Sequence, residues 1–192
     1  MDYKIIISVV AIIFSFIAYG MYVKDILQKK TVPHSFTFFI WGLTSVITWG
    51  LQVYGRAGVG AWVTLIAAII LIFIFFLSLK YGEKNITQLD IFFLLVALGA
   101  LFLWIFAKQP ILSVILLVAI DAIGYGPTIR KAWKKPREES LLTWEITASR
   151  NILSVFALQS FNVLTYLSPV VCACMNICLS MIVIIRRKKL NN

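Results

Sequence analysis

The chain has 192 residues, 61% of them hydrophobic and 14% charged, with a mean hydropathy of +0.93 and a net charge of +10. Soluble domains run nearer ~45–50% apolar, so this composition excludes an ordinary soluble enzyme or binding domain. The positive charge alone would suit a nucleic-acid binder, but Lys and Arg gather in loops on one side of a series of apolar runs, which is the pattern of a membrane topology.

Seven apolar windows approach the ~20 residues that cross a ~30 Å hydrocarbon core. They are Ile5 to Val23, Phe36 to Tyr54, Gly60 to Leu79, Leu89 to Ala107, Ile111 to Ile129, Leu141 to Ser160 and Tyr166 to Ile185. Together they use about 140 positions and leave no room for a separate soluble domain. The first window follows Lys4 and could pass for a signal sequence, but it has no small-residue cleavage site and is read as a helix. Lys4, Arg56 and Lys108 fall on one side; Lys24, Lys29, Lys30, Lys80, Lys84, the Arg130 to Arg137 cluster and Arg186 to Lys189 fall on the other. The positive-inside rule then places the N-terminus outside and the C-terminus in the cytoplasm, with the basic loops against anionic lipid headgroups and no nucleic-acid partner.

A shift of about 106 residues lays the first three windows on the last three. It pairs Tyr19 with Tyr125, Gly20 with Gly126, Lys29 with Lys135 and Thr37 with Thr143 as identities, and Lys24 with Arg130 and Thr48 with Ser154 as similar residues. An even number of crossings separates the partners, so the two copies are parallel. The expected fold is all-α: seven transmembrane helices in two parallel three-helix repeats, at 1–86 and 110–192, joined by a linker helix at 87–109.

This plan resembles that of the SWEET and PQ-loop transporter superfamily, whose full-length members have a three-plus-one-plus-three arrangement. The second half carries Gly126-Pro127-Thr128, then the basic stretch Arg130 to Lys135, then Ser140, where the superfamily has a Pro-Gln pair, a basic stretch and a Ser. Thr128 replaces the Gln, and the first half has Gly20-Met21-Tyr22 with no Pro, so the chain looks like a divergent PQ-loop-like protein rather than a sugar SWEET. The resemblance implies alternating access to a mid-membrane site, with Pro127 and Gly126 as hinge residues. It also sets Asn176 beside the substrate-contacting Asn of the seventh SWEET helix.

The residues themselves point to the same depth. An acid and a base inside membrane-length helices are costly and mark a functional site by default. At ~1.5 Å per residue, Asp121, Arg150 and Asn176 lie roughly 12 to 14 Å from the cytoplasmic ends of their helices, near mid-membrane. Thr143, Thr147, Arg150, Ser154 and Ala157 share one helical face, and Thr37, Trp41, Thr44, Thr48 and Gln52 repeat that stripe in the first half. The predicted substrate-binding residues are Arg150, Asp121, Asn176, Asn151, Ser154, Thr44 and Thr48. Asp121 and Arg150 could face a cavity, or close on each other as a buried ion pair. Their charge favours an ionised or zwitterionic metabolite over a neutral sugar.

Other features are expected to be structural. Trp41, Trp62, Trp104, Trp133 and Trp144 include several near span ends and suit an interfacial belt, whereas Trp49 is deeper and could line a cavity. His34 reads as an exposed, inert loop residue, Glu145 as a side chain that snorkels to the interface or pairs with Lys134 or Arg137, and Cys172, Cys174 and Cys178 as small apolar residues rather than metal ligands. Gly55, Gly58 and Gly60 form a turn; with no strand before it, it is not a nucleotide loop. The chain is therefore read as an integral membrane transporter of a small polar or ionised metabolite, with no cofactor and no metal. The alternative is a non-transporting receptor, scaffold or assembly protein that retains the fold. An intramembrane enzyme would need paired carboxylates, a metal cluster or an activated nucleophile, so no enzyme is expected. Association into a homo-oligomer is left open.

Overall fold

Hydropathy of this strength makes helices, because hydrocarbon offers no partner for an open backbone amide. The computed structural model describes residues 3–106 and 109–190 and has seven helices: α1 (Tyr3–Leu27), α2 (Ser35–Tyr54), α3 (Gly60–Tyr81), α4 (Gln88–Phe106), α5 (Pro110–Lys134), α6 (Leu141–Phe156) and α7 (Val163–Lys189). A short 3-10 turn, Pro136–Glu138, lies between α5 and α6, and no strand occurs among the described residues. Five helices, α1, α2, α3, α5 and α7, are long and apolar enough to cross a bilayer, which makes this a multi-pass membrane protein.

Local chemistry sets the boundaries. Pro110 opens α5 where its missing amide costs nothing. Asn162 caps α7 in a reciprocal box with Thr165. Thr87 and Asp90 do the same for α4, the Asp90 carboxylate accepting from the Thr87 amide at 2.9 Å. Between α2 and α3 the chain turns through Gly58 at φ 63°, where the Gln159 side chain sits so close that an added Cβ would meet its Oε1 at 1.9 Å.

The sixth helix is shorter than the Leu141 to Ser160 span that hydropathy predicts. It has 16 residues, about 24 Å at ~1.5 Å each. Residues 157 to 162 leave the helix to pack on the α2–α3 turn. Ala157 and Leu158 are buried with Ala57 and Ala61, the Gln159 amide donates to Ala57 O at 3.0 Å, and Asn162 Nδ2 donates to Gly55 O at 2.9 Å. A hydropathy window cannot register a helix stop made by a distant turn.

In the interior, α1 packs on α3 and α6, α2 on α3 and α5, α7 on α5 and α6, and α4 chiefly on α5. The core carries aromatic side chains from several helices, with Trp41 lying 4.3 Å from Tyr125 and 6.1 Å from Trp144, centroid to centroid. Thr37 on α2 donates to Gly124 O on α5 at 2.9 Å, and Thr143 on α6 donates to Ala18 O on α1 at 3.3 Å. Gly124 suits that close approach, because a Cβ would stand 3.0 Å from Trp41 Nε1 and 3.2 Å from Ile40 Cγ2. Gly126 instead receives the Phe93 ring of α4, which an added Cβ would meet at 2.8 Å.

Pro169 interrupts the amide ladder of α7 and frees the carbonyl of Thr165, four residues earlier. Gln52 Nε2 of α2 donates to that carbonyl at 3.2 Å. Gln52→Leu should therefore destabilise the protein by about 1–3 kcal/mol, and Pro169→Ala should restore most of that loss by returning the amide, as thermal unfolding of the single and double variants would show.

At the end of the bundle where α1, α3, α5 and α7 finish, charged groups are buried rather than solvated. Arg130 pairs with Asp90 through two bonds of 2.7 and 2.6 Å. Lys131, 2% exposed, meets Glu139 Oε1 at 2.5 Å and also donates to the carbonyls of Val32 and Glu138. His34, expected in solvent, is 1% exposed and lies 3.6 Å from Asp90. Burial lowers the His34 pKa, and the nearby Arg130 and Lys131 reinforce this against the pull of Asp90. A folded-state pKa below the unfolded value near 6.5 means that the unfolded chain takes up a proton first as pH falls. Stability should thus drop between pH 7.5 and pH 5.5, and the His34→Gln variant should show a smaller drop in unfolding midpoint over the same range.

Candidate functional site

Among the described residues the buried charged side chains are Asp90, Asp121, Lys131, Glu139 and Arg150. Three of them are matched: Asp90 by Arg130, and Lys131 and Glu139 by each other. Asp121 and Arg150 are not, and no ion pair joins them. Both instead line an internal cavity of about 50 Å³. Of the two arrangements that the sequence leaves open, the structure has the cavity.

Six helices build its walls: Tyr19 from α1, Trp41 and Ser45 from α2, Thr64, Ala67 and Leu71 from α3, Asp121 and Tyr125 from α5, Trp144, Thr147, Arg150 and Asn151 from α6, and Ser168, Pro169, Cys172 and Asn176 from α7. Asp121 belongs to the α2–α5 side. Its Oδ1 is hydrogen-bonded to Thr44 Oγ1, and its backbone carbonyl accepts from Trp41 Nε1 at 3.1 Å. Arg150 belongs to the α1–α6 side. Its guanidinium lies 6.0 Å from the Tyr19 ring centroid and donates through Nη2 to Asn151 Oδ1 at 2.7 Å.

Several polar atoms around this space are buried without a partner. Arg150 Nε and Asn151 Nδ2 are donors, and Asn176 Oδ1 is an acceptor, its own Nδ2 being spent on Cys172 O at 2.7 Å. In a membrane interior each such atom costs free energy unless something meets it. At ~10–15 Å³ per water position the cavity has room for a few water molecules. A solute that replaced them would find both donors and acceptors ready.

Four of the predicted site residues, Arg150, Asp121, Asn176 and Asn151, line the cavity, and Thr44 supports Asp121 from behind. Thr48 and Ser154 are buried but stand off the walls; Ser154 is occupied by a bond to Asn151 O at 2.8 Å. Pro127 is buried within a continuous α5, and Gly126 serves the Phe93 contact. Trp41 and Trp144, 7% and 2% exposed, belong to the cavity rather than to an interfacial belt, while Trp62 and Trp133 are half exposed as a belt requires. Trp49 packs on Ala57, Ala61 and Leu158 instead of lining the cavity. The Trp104 side chain and Lys108 lie outside the described residues. Sequence reading missed Tyr19, Tyr125, Thr64, Ser168 and Pro169; the Tyr19 and Tyr125 identity at the repeat offset was the signal that could have found the first two. Among the described residues no cluster of His, Cys, Asp and Glu could hold a metal. Compared with family models, curated proteins and solved structures, the chain matches none of them.

Proposed function

We propose that this protein carries a small polar or ionised metabolite across a membrane by alternating access, on a plan like that of the SWEET and PQ-loop transporters. The observation that carries the reading is an acid and a base, both buried, unmatched by each other and set around one cavity between the helices. A scaffold has no use for such an arrangement, because an unpaired buried charge destabilises and a closed Asp121 to Arg150 contact would remove the penalty.

The duplication supports it. The contacts of α1 with α3 and α6 become those of α5 with α7 and α2 under a shift of roughly 106 residues. The bond from Thr37 to Gly124 becomes the bond from Thr143 to Ala18 under the same shift. On this reading residues 1–86 and 110–192 are two three-helix units that rock about the cavity, 87–109 is the connector, the N-terminus is outside and the basic ends face the cytoplasm. The cavity is too small for a metabolite as it stands, so on this reading the two units part to admit the solute.

A thermal-shift screen of the purified protein against amino acids, sugars, nucleosides and organic acids at two pH values, followed by uptake of each hit into proteoliposomes, tests the proposal. A solute that both stabilises the protein and accumulates is the expected result. Ligands that stabilise the protein but never cross would favour a receptor.

A further inference from the structure

The two charges are not merely in one cavity; they occupy opposite walls. Asp121 is anchored to the α2–α5 contact by Thr44 and Trp41, and Arg150 to the α1–α6 contact near Tyr19. Helices α5 and α6 do not pack closely on each other, and both groups line the same cavity without forming an ion pair. Unpartnered donors and an unpartnered acceptor surround the same space. The free donors, Arg150 Nε and Asn151 Nδ2, are neighbours on α6 with the unpartnered hydroxyl of Thr147, and the free acceptor Asn176 Oδ1 sits on α7, which packs against both α5 and α6.

From this polarity, and resting on the transport reading above, we infer that the solute is a small zwitterion. Its anionic oxygens take hydrogen bonds from Arg150 and Asn151, and its cationic nitrogen donates to Asp121 and Asn176. A plain anion would satisfy α6 and leave the carboxylate of Asp121 facing it, a like-charge contact. A plain cation would do the reverse. A neutral sugar would leave both charges desolvated without an opposite charge, the costliest outcome in a water-poor site. The aromatic faces of Tyr125 and Trp41 beside Asp121 add to the preference for a cationic nitrogen at that end.

The test uses glycine, β-alanine and 4-aminobutyrate, which carry the same two ends at increasing separation, with acetate, ethylamine and glucose as controls. Purified full-length protein is melted with each at saturating concentration. At least one zwitterion should raise the unfolding midpoint by on the order of 3 °C or more. Acetate, ethylamine and glucose should each leave it unchanged. Asp121→Asn and Arg150→Gln should each erase the shift while the proteins still melt cooperatively. Failure of all three zwitterions, an equal shift with acetate or ethylamine alone, a shift with glucose, or an undiminished shift in Asp121→Asn overturns the inference. Proteoliposome uptake run in parallel separates this inference from the reading beneath it. Carriage of acetate or glucose without any zwitterion would sink only the zwitterion. A zwitterion that binds at Asp121 and Arg150 but is never carried would sink only the transporter.

Discussion

Replacing Arg150 with alanine is expected to weaken solute binding by roughly 30-fold or more and to abolish measurable uptake, while the protein stays folded. Truncating one side of a buried, charge-assisted contact costs about 2–5 kcal/mol, and each ~1.4 kcal/mol is tenfold in affinity. The fold survives because Arg150 has no ionic partner to strand. Its Nη2 donates to the neighbouring Asn151, and the residue of the first half at the corresponding position, Thr44, is small and uncharged. Uptake at wild-type rate by the folded variant would remove Arg150 from the site.

Lys131→Met should do the opposite, damaging the fold first. Lys131 is fully engaged, with Glu139 and the carbonyls of Val32 and Glu138 around its ammonium, and Val32 belongs to the α1–α2 loop while the other two belong to the turn before α6. Removing it strands the Glu139 carboxylate, which retains the hydrogen bond from Trp144 Nε1 at 3.2 Å but loses its ammonium. Stranding one member of a buried pair costs about 3–5 kcal/mol. The double variant Lys131→Met, Glu139→Leu should recover at least ~2 kcal/mol of that, since removing both charges removes the desolvation cost as well. Denaturant unfolding of the two variants in detergent measures the difference. A double variant no more stable than the single would show that this pair does not set the stability.

These two lysine and arginine positions also show what the sequence could and could not reveal. Arg150, with Asp121 and Asn176, was legible because charge and amide groups at mid-membrane depth are anomalous in any apolar helix. Lys131 was not, because in a run of basic residues beyond a span every member looks solvated. Its burial depends on Val32, 99 residues away, just as the pairing of Arg130 depends on Asp90, 40 residues away. The helices themselves were legible from hydropathy, except where a tertiary contact intervened: α6 stops at Phe156 because residues 157 to 162 lie on the α2–α3 turn. Trp41 and Trp144 were misplaced for a related reason. Tryptophan near a span end suits a lipid interface or an inward face equally well, and only packing against Tyr125 and Tyr22 separates the two.

The most direct test of a shared, alternately opened cavity is the accessibility of its wall from each side of the membrane. Ser45 lines the cavity on α2 and can be replaced by cysteine after Cys172, Cys174 and Cys178 are changed to serine. In vesicles of known orientation, a membrane-impermeant maleimide should label Ser45→Cys from either face, and a saturating solute that is carried should protect it from both. Labelling from one face only, or from neither, would contradict alternating access to this cavity.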